Sequence, residues 1–270
     1  MVIVRILTVA NNIVKFFMPS FKYSRLRIDK NFKKIALNLY PQNFGRALVL
    51  AAFLEEFSRL ITSKCKMNIA VVGGYLLEPE IKALEFLGVE ATVNIFGIDD
   101  GTNYLNLNEE ITSENDLCGN FDLVLCSQVW EHIWNHESAL TNLKKLIKKD
   151  GFIWLACPTS NRPHSSPSYY SAGFTSEYFS NNLSRLGLDV KASGQIGTPR
   201  NYRATHTLPA WLSVRGHYFP PVYAFSQRSL FPRIIYSLRF LLTTVSLLFS
   251  STRISDDINC ATETWILAKR

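Results

Sequence analysis

The twelve residues FDLVLCSQVWEH, from Phe121 to His132, decide the fold. Phe121 to Ser127 form an almost unbroken apolar run, which is typical of a strand buried on both faces of a parallel sheet. The run then turns polar and reaches Glu131 and His132, which predicts that the strand ends in a loop there. A strand buried in this way needs parallel neighbours, so the rest of the chain has to supply them.

Other stretches of the chain have the same apolar character and alternate with helix-like segments. The sequence predicts strands at residues 68–72, 91–98, 104–107, 121–127, 152–157, 188–192 and 262–268. It predicts helices at residues 79–87, 137–149 and 175–186, the second closed by Gly151. This order specifies a doubly wound α/β sheet. The last strand alternates polar and apolar residues, which predicts that one of its faces is less buried.

Composition agrees with a single large core. The chain has 270 residues, of which 47% are hydrophobic and 19% charged, so it can bury a full-sized core and is not a disordered chain. Its five cysteines form no CxxC pair and no Cys/His ligand spacing. We therefore expect free thiols in a reducing compartment, with neither a zinc site nor a disulfide framework.

Charge divides the chain into three parts. Residues 1–66 hold 12 Lys/Arg against 3 Asp/Glu, residues 67–189 hold 7 against 16, and residues 190–255 hold 8 and no acid. Each basic part carries apolar residues at helical spacing, in residues 1–18 and 230–253, and Arg239 with several hydroxyl residues makes the second stripe unsuited to span a bilayer. These two stripes predict either packing on the protein's own core or peripheral membrane contact in a cytoplasmic protein.

Two features at strand ends predict a nucleoside-containing cofactor. Gly73 and Gly74 follow the first strand and let the backbone approach a ligand closely. Asp99 ends the second strand, where a carboxylate can accept hydrogen bonds from ribose hydroxyls.

Four further segments, in the right order, resemble those of the class I S-adenosylmethionine-dependent methyltransferases. They are Asn106-Leu107-Asn108 after the third strand, the stretch 121–132, the turn into the fifth strand at 149–155, and the loop 164–175. The resemblance covers about residues 68–188 and the last strand. It is to the small-molecule type, with a degenerate first glycine motif, because Val71 to Leu77 lack the usual acid and later glycines.

The resemblance implies a Rossmann-like seven-stranded sheet whose last strand is antiparallel, with S-adenosylmethionine bound at the strand carboxyl ends. Together with the division of charge, it predicts a methyltransferase domain at 67–270 that contains an insertion at 195–259 between the sixth and seventh strands. The charge and apolar spacing of residues 1–66 predict an N-terminal basic helical segment before that domain. The cofactor contacts that we expect are Gly73, Gly74, Asp99, Asn106, Ser127 and Val129. The candidate acid–base residues are Glu131, His132 and His164, although helix capping, packing or a solvated loop explains each equally well.

The expected reaction is an in-line transfer of the sulfonium methyl group to a small-molecule, glycan or lipid acceptor. A nicotinamide-dependent enzyme is disfavoured because the chain lacks a GxGxxG fingerprint. A nucleic-acid methyltransferase is disfavoured because Ser127 to Trp130 stand where that group carries Asn/Asp-Pro-Pro-Tyr. The remaining alternative is a catalytically inactive, membrane-associated binding protein built on the same fold.

Overall fold

The fold is taken from a computed structural model of the chain. The structure describes residues 28–40, 44–61, 65–74, 78–98, 103–112, 114–161, 168–199, 202 and 261–270. Both predicted amphipathic stripes, at 1–18 and 230–253, lie outside these ranges, and so do Asp99 and His164. The predicted insertion at 195–259 also lies outside them, except for residues 195–199 and 202.

The described helices are α1 (Lys30–Leu39), α2 (Phe44–Leu60), α3 (Pro79–Phe86), α4 (His136–Leu146) and α5 (Ser176–Arg185), with a 3-10 turn at Trp130–His132. Local sequence sets their starts: the side chains of Asp29, Asn135 and Thr175 cap α1, α4 and α5, and Pro79 occupies the first turn of α3.

The strands are β1 (Lys66–Val72), β2 (Glu90–Gly97), β3 (Asn103–Tyr104), β4 (Phe121–Ser127), β5 (Ile147–Pro158), β6 (Asp189–Ile196) and β7 (Glu263–Lys269). They form one sheet in the order β3-β2-β1-β4-β5-β7-β6, in which β7 runs antiparallel to both of its neighbours. The predicted doubly wound seven-stranded sheet with an antiparallel last strand is therefore confirmed.

Helices cover both faces of the sheet. On one face, α4 and α5 enclose an apolar core that includes Trp130 and Phe179. On the other face, α1, α2 and α3 cover a second core, where Trp154 of β5 stacks on Trp265 of β7 at 5.1 Å between ring centroids. Phe53 of α2 meets Trp154 edge-on at 5.0 Å. The N-terminal helices thus form part of the core of the sheet, because without them these tryptophans would be exposed.

Three predictions about single elements were wrong. The last strand has no less buried face: residues 263–268 are all buried, because β7 lies between β5 and β6 and both sheet faces are covered. The helix predicted to run to Lys149 ends at Leu146, and Ile147 already pairs with Phe121 of β4, so Gly151 lies inside β5. The third strand is shorter than predicted, because only two residues pair with β2.

Within the described ranges, no helix combines the length and apolar character that crossing a membrane requires.

Candidate functional site at the carboxyl edge of the sheet

The candidate site lies where β1, β4 and β5 end, because the carboxyl ends of parallel strands meet at one edge of a sheet. Since β7 is antiparallel, its first residue, Glu263, lies at the same edge, opposite Pro158 of β5 and Ile196 of β6. The sheet order therefore brings a residue near the end of the chain to the loops that carry the predicted site.

The glycine turn after β1 is built around a close contact. Gly73 has a left-handed φ of +72°, and its N–H donates to the carbonyl of Phe96 at 2.7 Å. A Cβ atom on Gly73 would lie 2.5 Å from Cγ2 of Val129, so no side chain fits there. The structure thus brings together Gly73 and Val129, two residues that were predicted for the cofactor site. Residue 73 must be glycine because it packs against Val129, and the sequence alone did not predict this contact.

Acidic side chains surround this turn. A Cβ atom on Gly74 would lie 2.8 Å from Oε1 of Glu78, whose carboxylate also lies 3.6 Å from the Arg46 guanidinium. The hydroxyl of Ser127, at the end of β4, donates to Oε1 of Glu80 at 2.9 Å. Carboxylates of α3 and the residue before it therefore face the ends of β1 and β4, which gives this edge a negative character.

Gln128, directly after β4, has a left-handed φ of +59°, which non-glycine residues rarely adopt. Its N–H donates to the carbonyl of Ala156 at 2.7 Å, and its side-chain Nε2 donates to Oε2 of Glu263 at 2.9 Å. Glu263 was not predicted for the site, although an acid at the start of an otherwise apolar strand is a signal that could have found it. Such strained residues cluster at functional sites.

Two of the predicted acid–base residues lie in the 3-10 turn after β4. Glu131 is only 1% exposed, and its backbone carbonyl accepts a hydrogen bond from the N–H of Tyr170 at 2.9 Å. His132 is half-buried, its Nδ1 contacts the carbonyl of Ser168, and its ring lies edge-on to that of Tyr169 at 6.2 Å. The side chain of His132 is therefore nearer to solvent, whereas the side chain of Glu131 lies in the interior.

The loop that follows β5 returns to this turn. Phe174 donates its N–H to the carbonyl of Pro158 at 3.0 Å, which lays the loop along the end of β5. A Cβ atom on Gly173 would lie 2.2 Å from the carbonyl oxygen of Thr159. Only glycine allows this approach, so Gly173 positions the loop that contacts Glu131 and His132.

Asn106, predicted to contact the cofactor, forms a local turn. Its side chain donates to Glu109 at 2.6 Å and accepts from the N–H of Asn108 at 3.1 Å. The fully buried Asn142 of α4 holds this turn, because its amide donates to the carbonyls of Leu107 and Glu109 and accepts from Ile111. Sequence reasoning missed Asn142, since nothing in a helical pattern distinguishes a buried asparagine from a surface one.

Two buried cysteines, Cys126 of β4 and Cys157 of β5, lie near the same edge. Burial, together with the nearby Glu131 carboxylate, raises the pKa of the Cys126 thiol to about 12 and that of Cys157 well above its usual value. A thiol in this environment holds almost no thiolate at neutral pH. Among the described residues, no three His, Cys, Asp or Glu side chains are grouped so that they could hold a metal ion.

Comparison with known proteins bears on the central part of the chain. Residues 104–155, from β3 through β4 and α4 into β5, match the family model described as a methyltransferase domain. This match shows that the stretch is similar to methyltransferase domains, and it agrees with the sequence resemblance that implies S-adenosylmethionine as the cofactor. A comparison with the curated proteins gave no match.

Two methyltransferases are among the solved structures whose backbone is similar to that of this chain. The first is coclaurine N-methyltransferase bound to N-methylheliamine and S-adenosylhomocysteine, at 13% identity and a TM-score of 0.48, with 89% of this chain and 81% of that chain covered. The second is a SAM-dependent methyltransferase from Archaeoglobus fulgidus, at 14% identity and a TM-score of 0.43, with 81% of this chain and 92% of that chain covered.

The residues at the carboxyl edge suit this cofactor. S-adenosylmethionine carries a sulfonium and an ammonium group, and Glu78 and Glu80 bring two carboxylates to the edge, where Arg46 pairs with Glu78. The space that the missing side chains of Gly73 and Gly74 leave is occupied by Val129 and Glu78, so the two glycines shape the edge through packing. The charge of the edge therefore fits a cationic nucleoside.

Proposed function

We propose that this protein transfers the methyl group of S-adenosylmethionine to a small-molecule, glycan or lipid acceptor at the carboxyl edge of β1, β4 and β5. The observation that carries this proposal is the convergence of the Gly73 turn, Ser127 and Val129 at one edge, directly beside the turn that carries His132. When bound, the cofactor supplies an electrophilic methyl group. The work of the protein is to bind and orient the acceptor and to exclude water.

We propose that Gly73, Gly74, Asn106, Ser127 and Val129 hold the cofactor. Asp99 is assigned to the ribose hydroxyls from its place after β2 in the sequence. The contact between Gly73 and Val129 supports a shared role, because the two residues shape one surface.

We propose that His132 takes a proton from the acceptor during transfer, with His164 as a second candidate base. His132 is supported by its incomplete burial and by its place directly after β4. Glu131 remains a candidate acid–base residue as well. Its interior position favours a positioning role, because its carbonyl accepts from Tyr170 and so holds the loop after β5.

Two exposed aromatic side chains beside His132 support an acceptor with an apolar or ring-shaped part. Trp134 is 61% exposed and follows the 3-10 turn, and Tyr170 is 53% exposed and is tied to that turn through its N–H. Aromatic side chains that remain exposed near a site offer stacking surfaces for sugars and hydrophobic molecules.

We also propose cytoplasmic localisation with peripheral membrane contact through residues 1–18 and 230–253. Flotation of the full chain with anionic liposomes tests the membrane contact.

Titration calorimetry with S-adenosylmethionine and S-adenosylhomocysteine, with NAD as a control, tests the cofactor assignment without knowledge of the acceptor. We expect binding of the first two and none of NAD. Transfer of a radiolabelled methyl group to pools of small molecules, glycans and lipids then identifies the acceptor. His132→Asn is expected to lower the transfer rate by about 100-fold and to leave cofactor affinity within twofold. A folded protein that binds neither adenosyl compound would contradict the proposal.

A further inference from the structure

One of the N-terminal helices, α2, places the cation of Arg46 next to Glu78 at the carboxyl edge. Arg46, on α2, places Nη2 3.6 Å from Oε2 of Glu78, and its Nη1 donates to the hydroxyl of Tyr40 at 3.1 Å. Its side chain is 23% exposed. Arg46 therefore belongs to the interface between α2 and the sheet edge and is not a freely solvated surface charge.

The charge of Arg46 is balanced by carboxylates from other elements. Burial opposes its protonation, but the fields of Glu80, Glu78 and Glu263 outweigh burial, with a contribution from Tyr40, and raise the pKa of Arg46 above its usual value. Glu263 faces the α2 side of the sheet, because residues two positions apart in a strand share a face. Trp265 and Leu267 follow it at this spacing, and their side chains belong to the core on that side. One guanidinium thus contacts the carboxylate before α3 and acts through its charge on the carboxyl groups of α3 and β7.

Two of these carboxyl groups accept hydrogen bonds from the turn at the end of β4, which contains the predicted cofactor residues Ser127 and Val129. Glu263 accepts from the side chain of Gln128, and Glu80 accepts from the hydroxyl of Ser127, both at 2.9 Å. Gln128 is the residue with the left-handed backbone, and such a conformation persists only where the surroundings hold it. The charge of Arg46 therefore acts on two groups that hold the turn at the end of β4, Glu263 from β7 and Glu80 from α3.

We propose that Arg46 is a positioning residue for the cofactor site, because its ion pair with Glu78 fixes a positive charge that attracts Glu263 and Glu80, whose hydrogen bonds hold the turn Ser127–Val129 in the shape that binds. The inference rests on the proposed assignment of Ser127 and Val129 to the cofactor. It makes helix α2, which precedes the sheet in the chain, an integral part of that site. Outer partners of this kind commonly change ligand affinity although they do not contact the ligand.

A matched pair of variants on α2 tests this inference. Arg46→Gln removes the internal cation, and Arg59→Gln removes a cation of the same helix that pairs with Glu55 and Glu56 at the surface and is 60% exposed. We expect Arg46→Gln to weaken binding of S-adenosylhomocysteine by about tenfold or more, and Arg59→Gln by less than about twofold. Arg46→Lys should recover part of the affinity, because it restores the charge without the second donor nitrogen.

A second readout does not depend on the cofactor. The N–H of Gln128 donates to Ala156, so hydrogen exchange at residues 127–129 reports directly on the shape of the turn. We expect faster exchange there in Arg46→Gln and unchanged exchange in Arg59→Gln, at equal helix content. If the wild type binds no S-adenosylhomocysteine, the cofactor assignment fails, whereas the positioning role is still decided by the exchange. Wild-type exchange in a folded Arg46→Gln protein would overturn the positioning role, and so would wild-type affinity in a protein that binds.

Discussion

Glu263 should make the stability of the protein depend on pH in a way that one substitution removes. Burial of its side chain, which is 6% exposed, raises the pKa of Glu263 from an ordinary value of 4.5 to about 7, although Arg46 and the Gln128 amide lower it and Glu131 raises it. The folded protein therefore holds this proton more tightly than the unfolded chain does. The stabilisation that results is complete below about pH 4.5 and is lost as the pH rises through about 7.

The magnitude follows from the two pKa values. A difference between about 7 and 4.5 corresponds to about 3 kcal/mol, since each pKa unit is worth about 1.4 kcal/mol. Between pH 5 and pH 8, the folded protein should lose about 2.5 kcal/mol of stability through this group alone. Glu263→Gln keeps an oxygen that accepts from the Gln128 amide but carries no titrating proton, so that loss should disappear.

Urea unfolding at pH 5 and pH 8, followed by circular dichroism, measures the effect. The wild type and Glu263→Gln share every other titrating group, so the difference between their pH dependences isolates Glu263. Glu90→Gln serves as the control, because Glu90 pairs with Lys66 at the surface and its side chain is 72% exposed. Equal loss of stability with pH in the wild type and in Glu263→Gln, to within about 0.5 kcal/mol, would refute the assignment of a buried, proton-holding carboxylate at this position.

Three further predictions concern the turns and thiols around the site. Gly173→Ala should destabilise the protein by more than about 3 kcal/mol because its Cβ has no room, whereas Gly187→Ala, at φ +77° in open space, should cost only about 1 kcal/mol; thermal unfolding compares the two. Asn142→Ala should cost about 3 kcal/mol in urea unfolding and weaken S-adenosylhomocysteine binding, because three backbone groups lose their partner; wild-type values would contradict this. Iodoacetamide at pH 8 should leave Cys126 and Cys157 unmodified in the native protein, as mass spectrometry of the peptides can show.

The regular part of the fold could be predicted from the sequence because its signals are local. Apolar runs such as Phe121–Ser127 marked buried strands, and Thr175 marked a helix start, since both depend on residues close together in the chain. The exact start of β5 could not be predicted. Ile147 continues the apolar period of α4, and only its pairing with Phe121 of β4 makes it a strand residue.

Burial of β7 was misjudged for a similar reason. Its sequence alternates, but Thr264 and Glu263 are buried because β7 is inserted between two other strands, and strand order is not a local property. The glycine turn shows the same limit at the level of a site. Its position after β1 could be predicted from the sequence. Residue 73 must be glycine because it packs against Val129, which lies more than fifty residues further along the chain.

The charge of the site is the feature that is furthest from any local motif. Arg46 lies in α2, Glu80 in α3 and Glu263 in β7, and the hydrogen bond from Gln128 to Glu263 joins residues that are 135 positions apart. A reading of the first glycine motif alone finds no acid before the turn and would predict a weak cofactor site. The folded protein nevertheless brings the carboxyl groups of Glu78, Glu80 and Glu263 to that edge. Cofactor affinity should therefore depend on α2 and β7 as much as on the glycine turn, and variants in the turn alone would understate how the site is built.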